Sequence, residues 1–474
     1  MRNFLTATAM ITATVTAQPS LTIYNADLAV VRETLPLELQ AGESPVIFDR
    51  ATAQVRPDSV VLRDPSGKAA FSILEQSYRN DPVSRSLLLN HFEGQTIDFR
   101  QVYPDGKVET IQGRIIRSGH VPGGQPTDPI IEVEGKMRFQ LPGEPLFPDL
   151  GDGSILRPTL GWVLSSGEAV KFDAQLSYLT GGFSWEADYN FVAPEKGEIA
   201  TLTGWVTVNN QSGTAFNEAK VKLVAGDVNI EQEGSLLAPA AEMRMLKMDA
   251  AGAPPVEEKA FDDFHLYTLG RPLTIRDRET KQVEFIRAPE VKAKKSYVYD
   301  GAPMFLFHGG RNDGPLGDQA FEKDVAIYWE LTNDEASGLG MPLPAGRIRF
   351  YRADDADGNL EFVGENSIDH TPRNEKLKIY TGNAFDLVGE RKIVDFSRLD
   401  RENWMREAVE VTLKNRSKEE KTITVREHLW RWSNWEIQDA SQEFQKIDAQ
   451  TIEFTVKLQP NEEKKVTYAA RYSW

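Results

Sequence analysis

Hydrophobic and polar positions alternate along most of this chain, which is the pattern of β-strands buried on one face. Val409, Val411 and Leu413 share one phase of the alternation, and Ile423 and Val425 resume it after a polar turn. Because successive side chains of a strand point to opposite faces, this pattern predicts two half-buried strands paired as an antiparallel hairpin.

An asparagine followed by a serine turn ends such a strand three times. The copies are LTGWVTVNNQSG (Leu202 to Gly213), AIYWELTNDEASG (Ala326 to Gly338) and AVEVTLKNRSKEEKTITVRE (Ala408 to Glu427). They share the apolar alternation and the turn residues, but no acid, base or nucleophile. This repetition predicts stacked β-sandwich modules and indicates a scaffold rather than a duplicated site.

The remaining alternation predicts an all-β, multi-domain chain: a small N-terminal β/barrel region followed by two immunoglobulin-like antiparallel β-sandwich modules. Short strands between glycines in residues 87–141 suit a small barrel, and residues 142–158, rich in proline and glycine, suit a linker. The predicted domains are residues 18–150, 151–300 and 301–474.

Residues 231–263 interrupt the alternation with alanine, proline, methionine and acidic residues. Low complexity of this kind favours a mobile insertion between strands, and a short helix over residues 240–249 is the alternative. The alternation returns afterwards and continues to Trp474, so the C-terminus is predicted to be a packed strand.

Residues 1–17 have the features of an export signal. Arg2 gives a basic start, an apolar, threonine-rich stretch follows, and Ala17 ends a run of small residues before Gln18. An apolar N-terminal strand is the alternative interpretation. No later stretch reaches the roughly 18 apolar residues of a membrane-spanning helix. We therefore expect a periplasmic, secreted or cell-surface protein, cleaved near Ala17.

The composition of the chain excludes some kinds of site and argues against one class of ligand. The 474 residues include no cysteine, so a disulfide framework, a lipid-attachment cysteine and a thiolate metal site are excluded. The net charge of −17 repels phosphate backbones, which argues against nucleic-acid binding.

Five blocks of the chain form a recognisable series: RPTLGWVL (Arg157 to Leu164), YLTGGFSWEADY (Tyr178 to Tyr189), LYTLGRPLTIRDRETKQVEF (Leu266 to Phe285), Pro342 to Lys392 and Asn434 to Trp474. These blocks resemble the domain of unknown function 4139 family, and they occur in that family's order. Residues 20–150 are similar to the short-form N-terminal region of such proteins. The chain differs from the longer relatives, which are similar to mucoidy inhibitor A, because it has no coiled-coil heptads. It also carries an additional segment, residues 428–433.

The resemblance implies a bacterial, exported, mostly β protein. It implies no established activity and supplies no catalytic residues, so candidate chemistry has to be sought in the residues themselves.

Asp355, Asp357 and Asn359 alternate around a glycine and suggest a calcium loop. The twelve-residue calcium loop requires oxygen ligands at its first and last positions, where this chain has Ala353 and Gly364. A hairpin turn, in which these side chains bond the local backbone, explains the run better. A weaker calcium site at Asp355, Asp357 and Asn359 stays open.

Asp369 and His370 lie close to Glu365 and Glu375, and an imidazole among carboxylates could act as a base or bind a ligand. Neighbouring residues of a strand face opposite ways, so the pair can share a site only in a loop. A structured loop before Pro372 is the plainer interpretation.

Trp430 and Trp432 share a face if they lie on a strand, and could form a stacking platform for sugar rings. Ordinary sandwich core is the plainer interpretation, above all for the neighbouring Trp435.

We therefore expect an exported bacterial cell-envelope protein that is not an enzyme and needs no cofactor. It would act as a structural module, or as an interaction module for a protein or a polysaccharide, with strand addition at a sheet edge as the binding mode. Two alternatives are a carbohydrate-active or peptide-processing hydrolase and a calcium-stabilised adhesin. The hydrolase requires Asp355, Asp357, Asp369 and His370 to converge in one cleft.

Overall fold

The computed structural model describes residues 11–12, 18–121, 124–150, 153–194, 197–226, 256–261, 264–302, 322–354 and 357–474. Strands make up 63% of the structure and helices 4%, which confirms the all-β fold class. The chain forms two compact units that do not follow chain order. The domain boundaries at residues 150 and 300 stay predictions.

The strands of the N-terminal part pair almost entirely in antiparallel. In chain order they are β1 (Ile11–Thr12), β2 (Ser20–Tyr24), β3 (Leu28–Leu39), β4 (Gly42–Phe48), β5 (Val61–Arg63), β6 (Phe71–Arg79), β7 (Thr96–Val102), β8 (Val108–Arg117), β9 (Ile130–Val133), β10 (Lys136–Arg138), β11 (Glu144–Leu146), β12 (Thr159–Ser166) and β13 (Val170–Thr180). One α-helix among the described residues, α1 (Arg85–His91), precedes β7.

The later strands are longer. They are β14 (Phe183–Ala193), β15 (Ile199–Asn210), β16 (Phe216–Ala225), β17 (Val256–Phe261), β18 (Phe264–Leu269), β19 (Leu273–Ile275), β20 (Glu279–Asp300), β21 (Asp324–Thr332), β22 (Gly346–Ala353), β23 (Leu360–Ile368), β24 (Lys376–Leu399), β25 (Trp404–Asn415), β26 (Lys421–His428), β27 (Trp435–Ala440), β28 (Gln445–Lys446), β29 (Thr451–Leu458) and β30 (Glu463–Ser473). Short 3-10 turns occur at Pro57–Ser59, Glu335–Ser337 and Asp400–Glu402.

The first unit comprises Met1–Ser184, Asn209–Leu223 and Arg271–Lys281, as far as they are described. One of its sheets has the order β1-β4-β12-β6, and another has the order β16-β2-β3-β13-β5, with β19 beside β16. The inward faces follow the sequence alternation: on β3, Leu35 and Leu39 are fully buried.

A smaller five-stranded sheet of the first unit has the order β10-β9-β8-β7-β11, at the place where the sequence predicts a small barrel. α1 lies at the start of this region, before β7. It forms because Ser84 caps its first turn, accepting a hydrogen bond from the Leu87 N–H at 3.2 Å, and because a run of leucines favours helix. Leu89 then packs into the core of this sheet with Phe99.

The second unit comprises Trp185–Val208, Val224–Gly270 and Gln282–Trp474. Its main sheet has the order β23-β22-β14-β15-β20-β21-β24-β25-β30-β27, and β26 branches from β20 to pair with β29. The inner faces of β25 and β30 meet those of β26 and β29 in one hydrophobic cluster, so this part is a β-sandwich. That the sandwich is immunoglobulin-like stays a prediction.

The repeated asparagine is buried in all three copies: Asn210, Asn333 and Asn415 are each 0% exposed. Each side-chain amide donates hydrogen bonds to backbone carbonyls beyond the strand, and each side-chain oxygen accepts one from a backbone N–H within the turn. For Asn415 the acceptors include the carbonyls of Leu458 and Gln459 at 3.3 and 3.1 Å. The repeat is therefore a structural device.

The predicted hairpin at the third copy is wrong. β25 pairs with β24 and β30, whereas β26 pairs with β20 and β29. The alternation predicted the strands but not their partners. The turn after Asn415 carries the chain from one layer of the sandwich to the other. At this turn the backbone groups are bonded by the Asn415 side chain and not by a neighbouring strand of a hairpin.

The end of the predicted insertion forms a strand. Val256–Phe261 is β17 and pairs in antiparallel with β18; residues 231–255 and 262–263 lie outside the described residues. The packed C-terminal strand is confirmed as β30, on which Val466, Tyr468 and Tyr472 are buried. The helices in the described part of the chain are all too short or too polar to cross a bilayer.

Candidate functional site

The edge strand β6 is exposed on both faces over most of its length. Within the described ranges it pairs only with β12, so its other edge presents free backbone N–H and C=O groups. Ile73 is 40% exposed and Leu74 is 51% exposed. An edge strand that also exposes large apolar side chains is a ready template for a further strand.

A β-bulge shapes this edge. In the pairing of β6 with β12, Val163 lies opposite Glu75 and Leu164 lies opposite Ile73, so Leu74 is the additional residue. Leu74 therefore has no partner on β12, and residues 75–79 form the regular stretch of the edge.

An open groove of about 200 Å³ runs over the outer face of the same sheet, beside β6. Its floor is at Gly161, which pairs with Ile47 of β4 on one side and with Ser77 of β6 on the other. A Cβ at position 161 would lie 2.9 Å from the Ser77 hydroxyl oxygen, so glycine keeps the groove open. In the next row of the sheet, the apolar Val163 and the Glu75 side chain line the rim of the groove.

Arg79 closes one end of the groove in a fixed position. Its guanidinium binds the Asp81 carboxylate through two hydrogen bonds of 3.0 and 2.6 Å. Hydrogen bonding from Arg79 also lowers the pKa of the Asp81 carboxyl. The groove therefore combines apolar walls with a charged rim, and it can take one side chain of an extended segment that pairs with β6.

This site is not among those predicted from the sequence, because residues 71–79 show no clear strand pattern. The signal is weak because Phe71 and Ile73 begin an alternation that the bulge at Leu74 breaks. Gly161, inside the alternating run TLGWVLSS, is the one usable signal: a glycine within a strand often marks a close approach.

Trp430 and Trp432, the predicted stacking platform, flank a buried arginine. Arg431 is fully buried, and its guanidinium carbon lies 4.8 Å from the centre of the Trp430 ring. Trp432 is partly buried and packs against the core cluster of the sandwich. Trp435 packs there too, and its indole N–H donates to the Ala449 carbonyl at 2.8 Å.

Arg431 belongs to a buried set of ion pairs. It contacts Glu407 at 2.5 Å, and nearby Arg391 contacts Glu427 at 3.0 Å, with all four side chains at most 2% exposed. The Tyr468 hydroxyl donates to Glu427 at 2.6 Å. Burial lowers the pKa of Arg391, but the charges of Glu427, Tyr468 and Glu407 and the hydrogen bond to Glu427 together raise it by more.

These ion pairs hold the two layers together rather than offering an accessible reactive group. Pairing and hydrogen bonding offset part of the cost of burying the charges. Their sequence signal was available: Glu407 is in phase with Val409, and Glu427 is in phase with Val425, so both charges occupy apolar positions.

Asp357 and Asn359 form the turn between β22 and β23, and both are exposed. The Asp357 carboxylate accepts hydrogen bonds from the backbone N–H and the side-chain amide of Asn359, at 2.9 and 2.6 Å. Gly358 has φ of +74°, as the hairpin interpretation requires. Asp355, the third predicted calcium ligand, lies outside the described residues.

Asp369 and His370 lie in an exposed loop after β23. The His370 Nδ1 accepts a hydrogen bond from the Ala345 N–H at 3.1 Å, and the Asp369 carbonyl accepts one from the Thr371 hydroxyl at 2.8 Å. This is the structured loop that the sequence favoured.

The structure does not bring Asp357 together with Asp369 and His370. β23 has nine residues and separates them by about 30 Å at 3.3 Å per residue. Within the described ranges no group of three or more histidine or acidic side chains could hold a metal ion.

The fold defines an all-β protein of antiparallel sheets, with a buried ionic core in its second unit and an open edge in its first. A family model described as "Domain of unknown function (DUF4139)" matches residues 174–474, so the chain belongs to the DUF4139 family. This confirms the resemblance found in the sequence. A search of curated proteins finds no match.

Proposed function

We propose that this protein is a non-enzymatic interaction module of the bacterial cell envelope, and that it binds an extended segment of a partner protein at β6. The partner's segment adds a strand to the sheet and places one apolar side chain in the groove over Gly161.

The observation that carries this proposal is the exposure of β6 on both of its faces. A strand usually buries one face against a core, and here Ile73 and Leu74 remain exposed beside unpaired backbone groups. In strand addition, backbone hydrogen bonds supply affinity and side-chain pockets supply specificity. The groove at Gly161 is such a pocket.

The test places a photo-crosslinking amino acid at Ser77 and irradiates the native cells. We expect one reproducible crosslinked partner. The double variant Ile73→Lys/Leu74→Lys should abolish that crosslink, since charges on an edge strand oppose strand addition. Gly161→Val should weaken it by filling the groove.

Val61→Lys is the matched control. Val61 is 49% exposed and lies on β5, the edge strand of a different sheet, so this variant should keep the crosslink. Each variant must keep the melting temperature of the unchanged protein. A crosslink that survives in the double variant, or no reproducible partner at all, contradicts the proposal.

Export to the envelope is part of the same proposal, and it is supported by the signal-like residues 1–17 and by the resemblance to exported proteins. Cleavage near Ala17 would remove β1, whose Ile11 pairs with Val46, and would leave β4 with β12 as its partner. N-terminal sequencing of the protein from its own cells should find Gln18 first. An N-terminus at Met1 in the cytoplasmic fraction would contradict export.

A further inference from the structure

The outer face of β20, β21 and β24 carries lysines and tyrosines in register. Lys294, Glu330 and Lys378 form one row across the three strands. Ser296, Tyr328 and Tyr380 form the next row. We call these two rows the lysine–tyrosine face.

The two tyrosine rings lie together, with centroids 5.7 Å apart. The Lys378 ammonium lies 4.9 Å from the centre of the Tyr328 ring. The Tyr380 hydroxyl donates to the Asn383 side-chain oxygen at 3.0 Å. Tyr380 is nevertheless 39% exposed, so one ring of the pair is held in place but open to a ligand.

Glu330 is the acceptor at the centre of the face. It accepts a hydrogen bond from the Ser296 hydroxyl at 2.7 Å and pairs with Lys378 at 3.1 Å. Partial burial raises the pKa of its carboxyl, but these two contacts and the charge of Lys294 together lower it by more, so Glu330 stays ionised.

The local charge of this face is opposite to that of the whole chain. Lys292, Lys294, Lys376 and Lys378 are exposed around Glu330, whereas the chain as a whole has a net charge of −17. Because charges at the surface act over about 8 Å at physiological ionic strength, a bound ligand experiences mainly the local lysines.

We infer that the lysine–tyrosine face binds an acidic polysaccharide. Tyrosine rings pack against the C–H faces of sugars, and lysines bind the carboxylates along the chain. Glu330 can accept hydrogen bonds from sugar hydroxyls, which a phosphodiester backbone does not offer. This ligand is distinct from the protein segment proposed for β6, and the two surfaces are tested separately.

The test is affinity electrophoresis of the full chain in gels that contain polygalacturonate, with neutral dextran as the comparison. We expect retardation by polygalacturonate and none by dextran. Lys294→Gln/Lys378→Gln should raise the dissociation constant by about tenfold or more, since two charge-assisted contacts are lost. Tyr380→Ala should also weaken binding, whereas Tyr380→Phe, which keeps the ring, should retain most of it.

Lys171→Gln is the matched lysine control, because Lys171 is exposed and pairs with Glu38 in the first unit. This variant and Ile73→Lys/Leu74→Lys should bind polygalacturonate normally, with unchanged melting temperatures. The inference is overturned by equal retardation of all variants, by an equal loss in Lys171→Gln, or by the absence of retardation. Tighter binding to a single-stranded DNA oligonucleotide or to phosphatidylglycerol vesicles overturns it as well.

Discussion

Replacement of Glu33 by glutamine is expected to stabilise the first unit above neutral pH. Glu33 is 5% exposed and lies on the inner face of β3, in phase with Val31 and Leu35 and opposite Leu176 of β13. Among the described residues, no group donates a hydrogen bond to its Oε2 atom. A carboxylate in this position is therefore desolvated without full compensation.

The magnitude follows from the pKa of this carboxyl, which burial raises from 4.5 to about 7 although Arg50 lowers it in part. Below pH 4.5 Glu33 is protonated in the folded and unfolded states. Between pH 4.5 and 7 the unfolded chain releases the proton first, so stability falls as the pH rises. Above pH 7 the folded state carries the full cost, which is about 3 kcal/mol at 1.36 kcal/mol per pKa unit.

The assay is urea denaturation of the unchanged protein and of Glu33→Gln from pH 4 to 9, followed by circular dichroism. The difference between the two free energies of unfolding removes the contributions of the other titrating groups. It should shift by about 3 kcal/mol in favour of the variant between pH 4.5 and 8. Glu38→Gln, at an exposed position of the same strand, should give a flat difference. A flat or inverted curve for Glu33→Gln would refute the reasoning.

Three further outcomes are expected. Arg431→Ala should lower the free energy of unfolding of the second unit by about 3–5 kcal/mol, measured by urea denaturation, because it leaves Glu407 buried and unpaired. The double variant Arg431→Met/Glu407→Leu should recover this stability, since it removes both charges. A loss below about 1 kcal/mol in Arg431→Ala would contradict the ion-pair account. Asn415→Ala should cost about 1–3 kcal/mol, since buried carbonyls lose their donor, and an unchanged melting temperature would contradict this. Calcium should leave the melting temperature unchanged and give no heat in calorimetry, because Asp357 is already bonded by Asn359; a calcium-dependent rise would restore the predicted site.

Whether a candidate site could be predicted from the sequence depends on how far apart its residues lie in the chain. The turn at Gly358 was predictable, because Asp357 bonds Asn359, its neighbour in the chain. The loop at His370 was predictable from the local bond between Thr371 and Asp369, whereas the bond from Ala345 to His370 was not, because Ala345 is distant in the chain. The groove at Gly161 was not, since it needs three strands, β4, β12 and β6, that are distant in sequence. The ion pair of Arg431 with Glu407 lies between these cases: the charge at an apolar position was visible, but its partner was not.

The sequence by itself determined the all-β class, the alternation of buried and exposed positions, the three asparagine turns and the family. The class, the alternation and the turns depend on the period of a strand and on contacts within a few residues. The family was recognised separately, from the resemblance of five blocks of the sequence. Only the tertiary structure decided that β25 and β26 do not pair, that β6 is left at an edge and that Arg391 meets Glu427. Strand partners are chosen by long-range packing of whole faces, and alternation alone fits many such pairings equally well.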